Sequence, residues 1–168
     1  MQINVSQLLK ESIGSIRSYE VSETMDVTDD GSKSKVEGEV RLMRTNRGIL
    51  AQGELDTGIK LTCSRCLSVF DCRLTLDLEE EYIPTIDVVS GAPLPSAEPG
   101  PFLIDEHHDI DLTDAIRQCA LLAAPMKPLC QEDCAGLCQS CGHNLNQGPC
   151  DCPAQVVDPR WSELTKLL

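Results

Sequence analysis

Aromatic residues are scarce in this 168-residue chain: Tyr19, Phe70, Tyr82, Phe102 and Trp161 are the whole set. So few rings argue against a broad surface on which nucleobases stack. Positive charge is also scarce, with 14 Lys and Arg against 27 Asp and Glu and a formal net charge of −13. No Lys or Arg occurs between Leu74 and Ile116, a stretch that holds eleven acids. A surface of that sign repels a phosphate backbone unless its few cations are focused on one face. The only basic concentration is Lys33, Lys35, Arg41, Arg44 and Arg47. Long apolar runs are missing, and the longest, near Cys119–Pro125, is far too short to span a membrane. The N-terminal MQINVSQLLKES has no basic start followed by an apolar core, so the expected location is the cytoplasm. Neither a Gly-rich loop ending in Lys-Ser/Thr nor a Gly-x-Ser-x-Gly elbow is present, and the acids at 79–81 alternate faces of a strand. The expectation is a protein without catalysis and without catalytic residues.

Cysteine, by contrast, is abundant. Eight of the ten fall into clusters: the pair Cys63 and Cys66, and a run of Cys130, Cys134, Cys138, Cys141, Cys150 and Cys152 within 23 residues. In a reducing compartment such thiols read as ligands before disulfides. The C-x2-C-Gly element at Cys138–Gly142 chelates from a tight turn, and the C-x-C at Cys150–Cys152 follows within ten residues. The most economical partition makes one four-thiolate zinc site of Cys138, Cys141, Cys150 and Cys152. A second would combine Cys63 and Cys66 with Cys130 and Cys134, stapling the tail to the sheet. The alternative is a single zinc with Cys63 and Cys66 as a free dithiol, so one or two zinc ions are expected. His143 is the weaker substitute ligand, and His107 and His108 are expected to be solvated. Arg65, between two thiols, offsets anionic sulfur. Cys72 and Cys119 lie on apolar faces and read as core thiols.

The hydrophobic pattern predicts an α+β chain. Val36, Gly38, Val40 and Leu42 alternate with polar residues, as do Ile49 through Leu61 and Phe70 through Leu78. Gly53 or Gly58 is the expected bend in the second run. These runs predict a mostly antiparallel β domain over 1–83, a sandwich or small barrel, preceded by a short helical turn with Val5, Leu8 and Leu9 on one side. A proline-rich acidic loop is expected over 84–109. The remainder, 110–168, is expected to hold a helix, the cysteine module and a C-terminal helix from Asp158-Pro159. Asp111 is the candidate cap of the first helix, whose apolar face would be Leu112, Ala115, Ile116, Cys119 and Leu122.

Several motifs carry a family likeness. These are L-T-C-S-R-C-L at 61–67, E-E-E-Y at 79–82, I-D-L-T at 110–113, the run at 130–146, C-D-C at 150–152 and D-P-R-W at 158–161. With them the chain resembles the bacterial and plastid YceD family, the large ribosomal RNA subunit accumulation proteins. The resemblance implies ribosome biogenesis: accumulation or processing of large-subunit (23S) rRNA by an assembly factor. The implied partner is the large-subunit precursor, either a basic ribosomal protein or precursor rRNA. The competing reading is a cytosolic redox-switched chaperone or oxidoreductase using the Cys63/Cys66 dithiol.

Overall fold

The computed structural model describes residues 1–28, 31–94 and 102–152. The chain divides into two compact units: Met1–Leu61 with Phe70–Pro128, and Thr62–Val69 with the chain from Leu129 onward.

The first unit is built on one seven-stranded sheet. Its strands are β1 (Gln2–Asn4), β2 (Ile16–Met25), β3 (Ser34–Arg44), β4 (Ile49–Thr62), β5 (Val69–Pro84), β6 (Phe102–Ile104) and β7 (Asp109–Asp111), in the order β1-β7-β6-β5-β4-β3-β2. The long strands follow the alternation in the sequence. Val36, Val40, Leu42, Ile49, Ala51, Leu55, Ile59, Leu74, Leu76 and Leu78 are buried, and the residues between them face outward. β4 runs unbroken through Gly53 and Gly58. Gly53 serves packing instead: a Cβ there would lie 2.3 Å from the Glu39 carbonyl oxygen, and one on Gly38 would lie 2.3 Å from that of Glu54. The paired strands β3 and β4 approach too closely at these two points for any side chain.

Of the two expected forms, the single curled sheet meets the small barrel in part and not the antiparallel sandwich, and two features make the difference. All seven strands join a single sheet, and β5 pairs with β6 in parallel, Tyr82 opposite Phe102. The 17 residues between Pro84 and Phe102 are long enough for the crossover that a parallel pair requires. The sheet also curls. β1 and β2 stand at opposite ends of its order, yet the Met1 ammonium lies 3.9 Å from the Glu23 carboxylate on β2 and 2.7 Å from the Thr113 hydroxyl. Val5, Leu8 and Leu9, around a 3-10 turn at Leu8–Lys10, are buried with the inner face of the sheet.

Helix α1 (Thr113–Ala123) buries Ala115, Ile116 and Ala120. Leu112, not Asp111, is the capping position and supplies no side-chain bond; the Asp111 carboxylate accepts the Thr113 N–H at 2.9 Å from one residue further out. Leu122 is not on the core face: it is 86% exposed, because burial stops at Ala120, before the last turn. Cys119 is half-buried with its thiol donating to the Asp77 carbonyl, and Cys72 is half-buried against the core. The expected C-terminal helix lies outside the described residues.

Candidate metal centre

The second unit begins as the tip of a hairpin. The Thr75 hydroxyl bonds Asp56, and four residues along each strand in opposite directions Gln52 bonds Glu79, so β4 and β5 run antiparallel. That register carries on to the Cys63 N–H bond to the Ser68 carbonyl, 2.9 Å. Leu67, at φ 58°, makes the turn that brings Cys63 and Cys66 together.

The eight clustered cysteines gather in two sets, Cys63, Cys66, Cys130 and Cys134 in one and Cys138, Cys141, Cys150 and Cys152 in the other. Within each set the sulfurs all lie within 4.8 Å of one another. In the first, the hairpin set, Cys63 Sγ stands 3.8 Å from Cys134 Sγ and Cys66 Sγ 3.6 Å from Cys130 Sγ. A tetrahedral zinc with sulfur at about 2.3 Å has sulfur–sulfur edges of about 3.8 Å. The donor set and spacing therefore fit such an ion. Each set could hold a metal ion through four sulfurs. Cys63, Cys66 and Cys134 are buried, whereas in the second, the loop set, Cys141 is exposed and the others half-buried.

The local backbone favours thiolate at one sulfur in each set. The N–H of Cys66, helped by those of Cys130 and Arg65, holds the Cys63 thiol down at about 6 against the effect of burial. The N–H groups of Cys141 and Ser140 do the same for Cys138, also at about 6. The Ser68 hydroxyl and N–H lower Cys66. The opposite holds for one downstream sulfur of each set, Cys130 and Cys152. Burial, then the neighbouring sulfurs, pushes Cys130 up to about 12, and the Cys141 side chain, then burial, pushes Cys152 up to about 12. Four sulfurs this close cannot all ionise unless a cation joins them.

Contacts behind the sulfurs come from Arg65, which lies within the first cysteine pair, and from two asparagines the cysteine pattern does not mark. Arg65 Nη1 donates to the Cys134 carbonyl at 3.0 Å, tying the hairpin tip to the downstream segment. Asn146 Nδ2 lies 3.3 Å from Cys134 Sγ, and Asn144 Nδ2 donates to the Ser68 hydroxyl at 3.1 Å. The signal for them was the Asn-x-Asn that follows Cys-Gly-His. His143 is exposed and contributes its carbonyl, which accepts the Cys138 N–H at 2.8 Å; its ring joins neither set. His107 and His108 likewise stand apart from both sets.

The basic residues do not make one free patch. Lys35 pairs with Glu37 at 2.6 Å, Arg47 lies 3.8 Å from Glu81, and Arg44 donates to the Thr45 and Gly48 carbonyls. Acids, in contrast, align on the outer face of the sheet. Glu20 lies opposite Glu39, which lies opposite Glu54, and Glu37 lies opposite Asp56. Asp77, between Thr75 and Glu79 on β5, extends the first row to a fourth strand.

The sequence is similar to several known proteins. A protein of Mycobacterium tuberculosis (strain ATCC 25618 / H37Rv) described as uncharacterized is 32% identical over 130 residues, 77% of this chain and 60% of that protein. The Large ribosomal RNA subunit accumulation protein YCED homolog 1, chloroplastic, of Arabidopsis thaliana is 28% identical over 167 residues, 86% of this chain and 52% of that protein. The chain thus spans between 52% and 60% of the length of these curated relatives. No solved structure matches it. The profile of the family described as Large ribosomal RNA subunit accumulation protein YceD matches residues 51–168, which include all eight clustered cysteines. The chain belongs to the YceD family.

Proposed function

We propose that this chain is a non-catalytic zinc-binding factor of ribosome biogenesis that supports accumulation or processing of large-subunit rRNA. The observation that carries the reading is the closure of the two sulfur sets. With four sulfurs each, a tetrahedral ion keeps no position for water or substrate, which is the pattern of structural zinc. All eight cysteines serve as ligands: Cys63, Cys66, Cys130 and Cys134 for one ion, Cys138, Cys141, Cys150 and Cys152 for the other. Bound zinc supplies folding energy and neutralises thiolate charge. The family description supplies the process. The outer acid rows support a basic ribosomal protein as the direct partner, because like charges held opposite one another are relieved by a cationic surface. The site of action is the cytoplasm; no helix among the described residues is long and apolar enough to cross a membrane. The dithiol redox reading is weaker, since Cys63 and Cys66 are buried and each faces a sulfur of the downstream pair.

The test is deletion of the gene and complementation with wild type, C63S/C66S or C138S/C141S. Large-subunit rRNA should fall relative to small-subunit rRNA in the deletion, recover with wild type and stay low with either variant. An unchanged ratio in the deletion refutes the assignment. Metal analysis of reduced protein should give two zinc ions per chain.

A further inference from the structure

Residues 142–149 are bracketed by Cys141 and Cys150, so the loop set closes them into a loop. Yet their side chains serve the other set. Asn146 Oδ1 accepts the Ala135 N–H at 2.8 Å and the Gln131 side-chain amide at 3.1 Å. A backbone N–H can only donate, so the Asn146 oxygen is fixed on that side and its amide nitrogen faces Cys134 Sγ at 3.3 Å. The Asn144 oxygen accepts both the Asn146 N–H at 3.0 Å and its side-chain amide at 2.8 Å. The Asn144 amide in turn donates to Ser68 at the hairpin tip, 3.1 Å away. Leu145 N–H bonds the Gly136 carbonyl at 2.9 Å. The loop closed by one set is thus bonded to Ser68, Cys134, Ala135 and Gly136, the chain segments that carry three of the four sulfurs of the other.

We propose that Asn146 is a positioning residue for the hairpin set, and that filling the loop set raises the metal affinity of the hairpin set by ordering the loop that presents it. The inference rests on the reading that both sets bind zinc. An amide N–H donated to a thiolate disperses its charge and fixes its direction, and outer contacts of this kind alter metal affinity by about 10–100-fold when removed. Their effect here depends on the 142–149 loop staying folded over Cys134. Without metal in the loop set, ordering that loop costs conformational entropy at the moment the hairpin set binds. Linkage makes the effect reciprocal: metal in the hairpin set favours the loop set by the same factor.

Cobalt(II) titration under reducing conditions tests this, because tetrahedral thiolate cobalt reports each site by absorption. Wild type should take up two cobalt ions. N146D keeps the acceptor for Ala135 but replaces the donor facing Cys134 with a carboxylate oxygen. It should weaken the hairpin set by about 10–100-fold and shift its sulfur-to-cobalt band, with the loop set far less affected. C150S/C152S, which removes the loop set, should weaken the hairpin set by a similar factor. The combined variant should lose little more, since both changes act through one loop. Wild-type affinity and spectrum in N146D, or losses that multiply fully in the combined variant, overturn the inference while leaving the two-site reading intact. Fewer than two tetrahedral cobalt ions in wild type overturns that reading and the coupling with it.

Discussion

Removing metal should unfold the second unit and spare the first. Among the described residues, the first unit has its own apolar core, 23 buried side chains from Ile3 to Ala120 that pack together. Among the described residues of the second unit, the buried apolar side chains are only Cys63, Cys66 and Cys134. Leu137 and Leu145 are half-buried, worth about 1 kcal/mol each from apolar area. Ordering the described residues 129–152 costs about 1.5 kcal/mol per residue, which amounts to tens of kcal/mol. Hydrogen bonds each return about 1 kcal/mol net. A structural zinc contributes on the order of 10–16 kcal/mol, as much as the whole stability of an ordinary domain, about 5–15 kcal/mol. The balance therefore turns on the metal. The assay is a 1H–15N NMR spectrum of reduced protein before and after a strong chelator. Amide signals of 62–69 and 129–152 should collapse toward random-coil positions, while those of β2 to β5 within the first unit stay dispersed. Dispersed signals from 129–152 in metal-depleted protein would refute the reasoning.

Zinc uptake should release protons and tighten with pH. Above about pH 6 Cys63 and Cys138 are already thiolate, while Cys130 and Cys152, near 12, still carry protons that the metal must displace. Each site should thus release the proton of Cys130 or Cys152 at pH 7, and one more proton as pH falls through about 6 and Cys63 or Cys138 becomes protonated, read by calorimetry in buffers of different ionisation enthalpy; zero release contradicts it. Leu76→Ala, at a side chain 1% exposed, should cost about 2–5 kcal/mol, lowering the Tm in a thermal melt. Gly53→Ala, whose new Cβ would meet a carbonyl oxygen at 2.3 Å, should destabilise β3–β4 strongly in the same melt. Gly58→Ala, with its nearest atom at 4.0 Å, should change stability by less than about 0.5 kcal/mol.

What the sequence revealed follows from the length of each signal. β3, β4 and β5 show several periods of alternation, enough to define an inner face. β1, β6 and β7 are three residues each, shorter than any usable period, and depend on neighbours remote in sequence, as in Gln2 opposite Asp111. The parallel pairing of β6 with β5 is set by where a long crossover returns, which local pattern does not encode. The grouping of the cysteines was legible because closely spaced thiols in turns fall together, and the two leftover pairs were complementary. Asn146 was not, since asparagine in a Gly-containing loop reads first as a turn residue. Leu122 misled for a related reason: helical period places it on the core face, but only the tertiary packing reveals that the core ends at Ala120.

The acid rows gain weight from the sulfur sets. The formal charge of −13 counts every thiol as neutral, whereas zinc on four thiolates leaves about −2 at each site. Metal loading thus makes an acidic chain more acidic, which disfavours a phosphate backbone further. Glu20, Glu39 and Glu54 stand on successive strands, about 4.8 Å apart in the pairing direction, well inside a screening length of about 8 Å at physiological salt. They act on an approaching partner as one field, and a Lys- or Arg-rich protein surface is what such a field attracts. Complex formation in extracts of the producing cells should therefore survive nuclease and weaken as salt rises. E39Q/E54Q should lose the complex while gaining about 0.2–1 kcal/mol of stability, as the opposed acid pairs are removed without a new like-charge pair. Capture that nuclease abolishes, or that salt and the double substitution leave unchanged, would place the partner elsewhere.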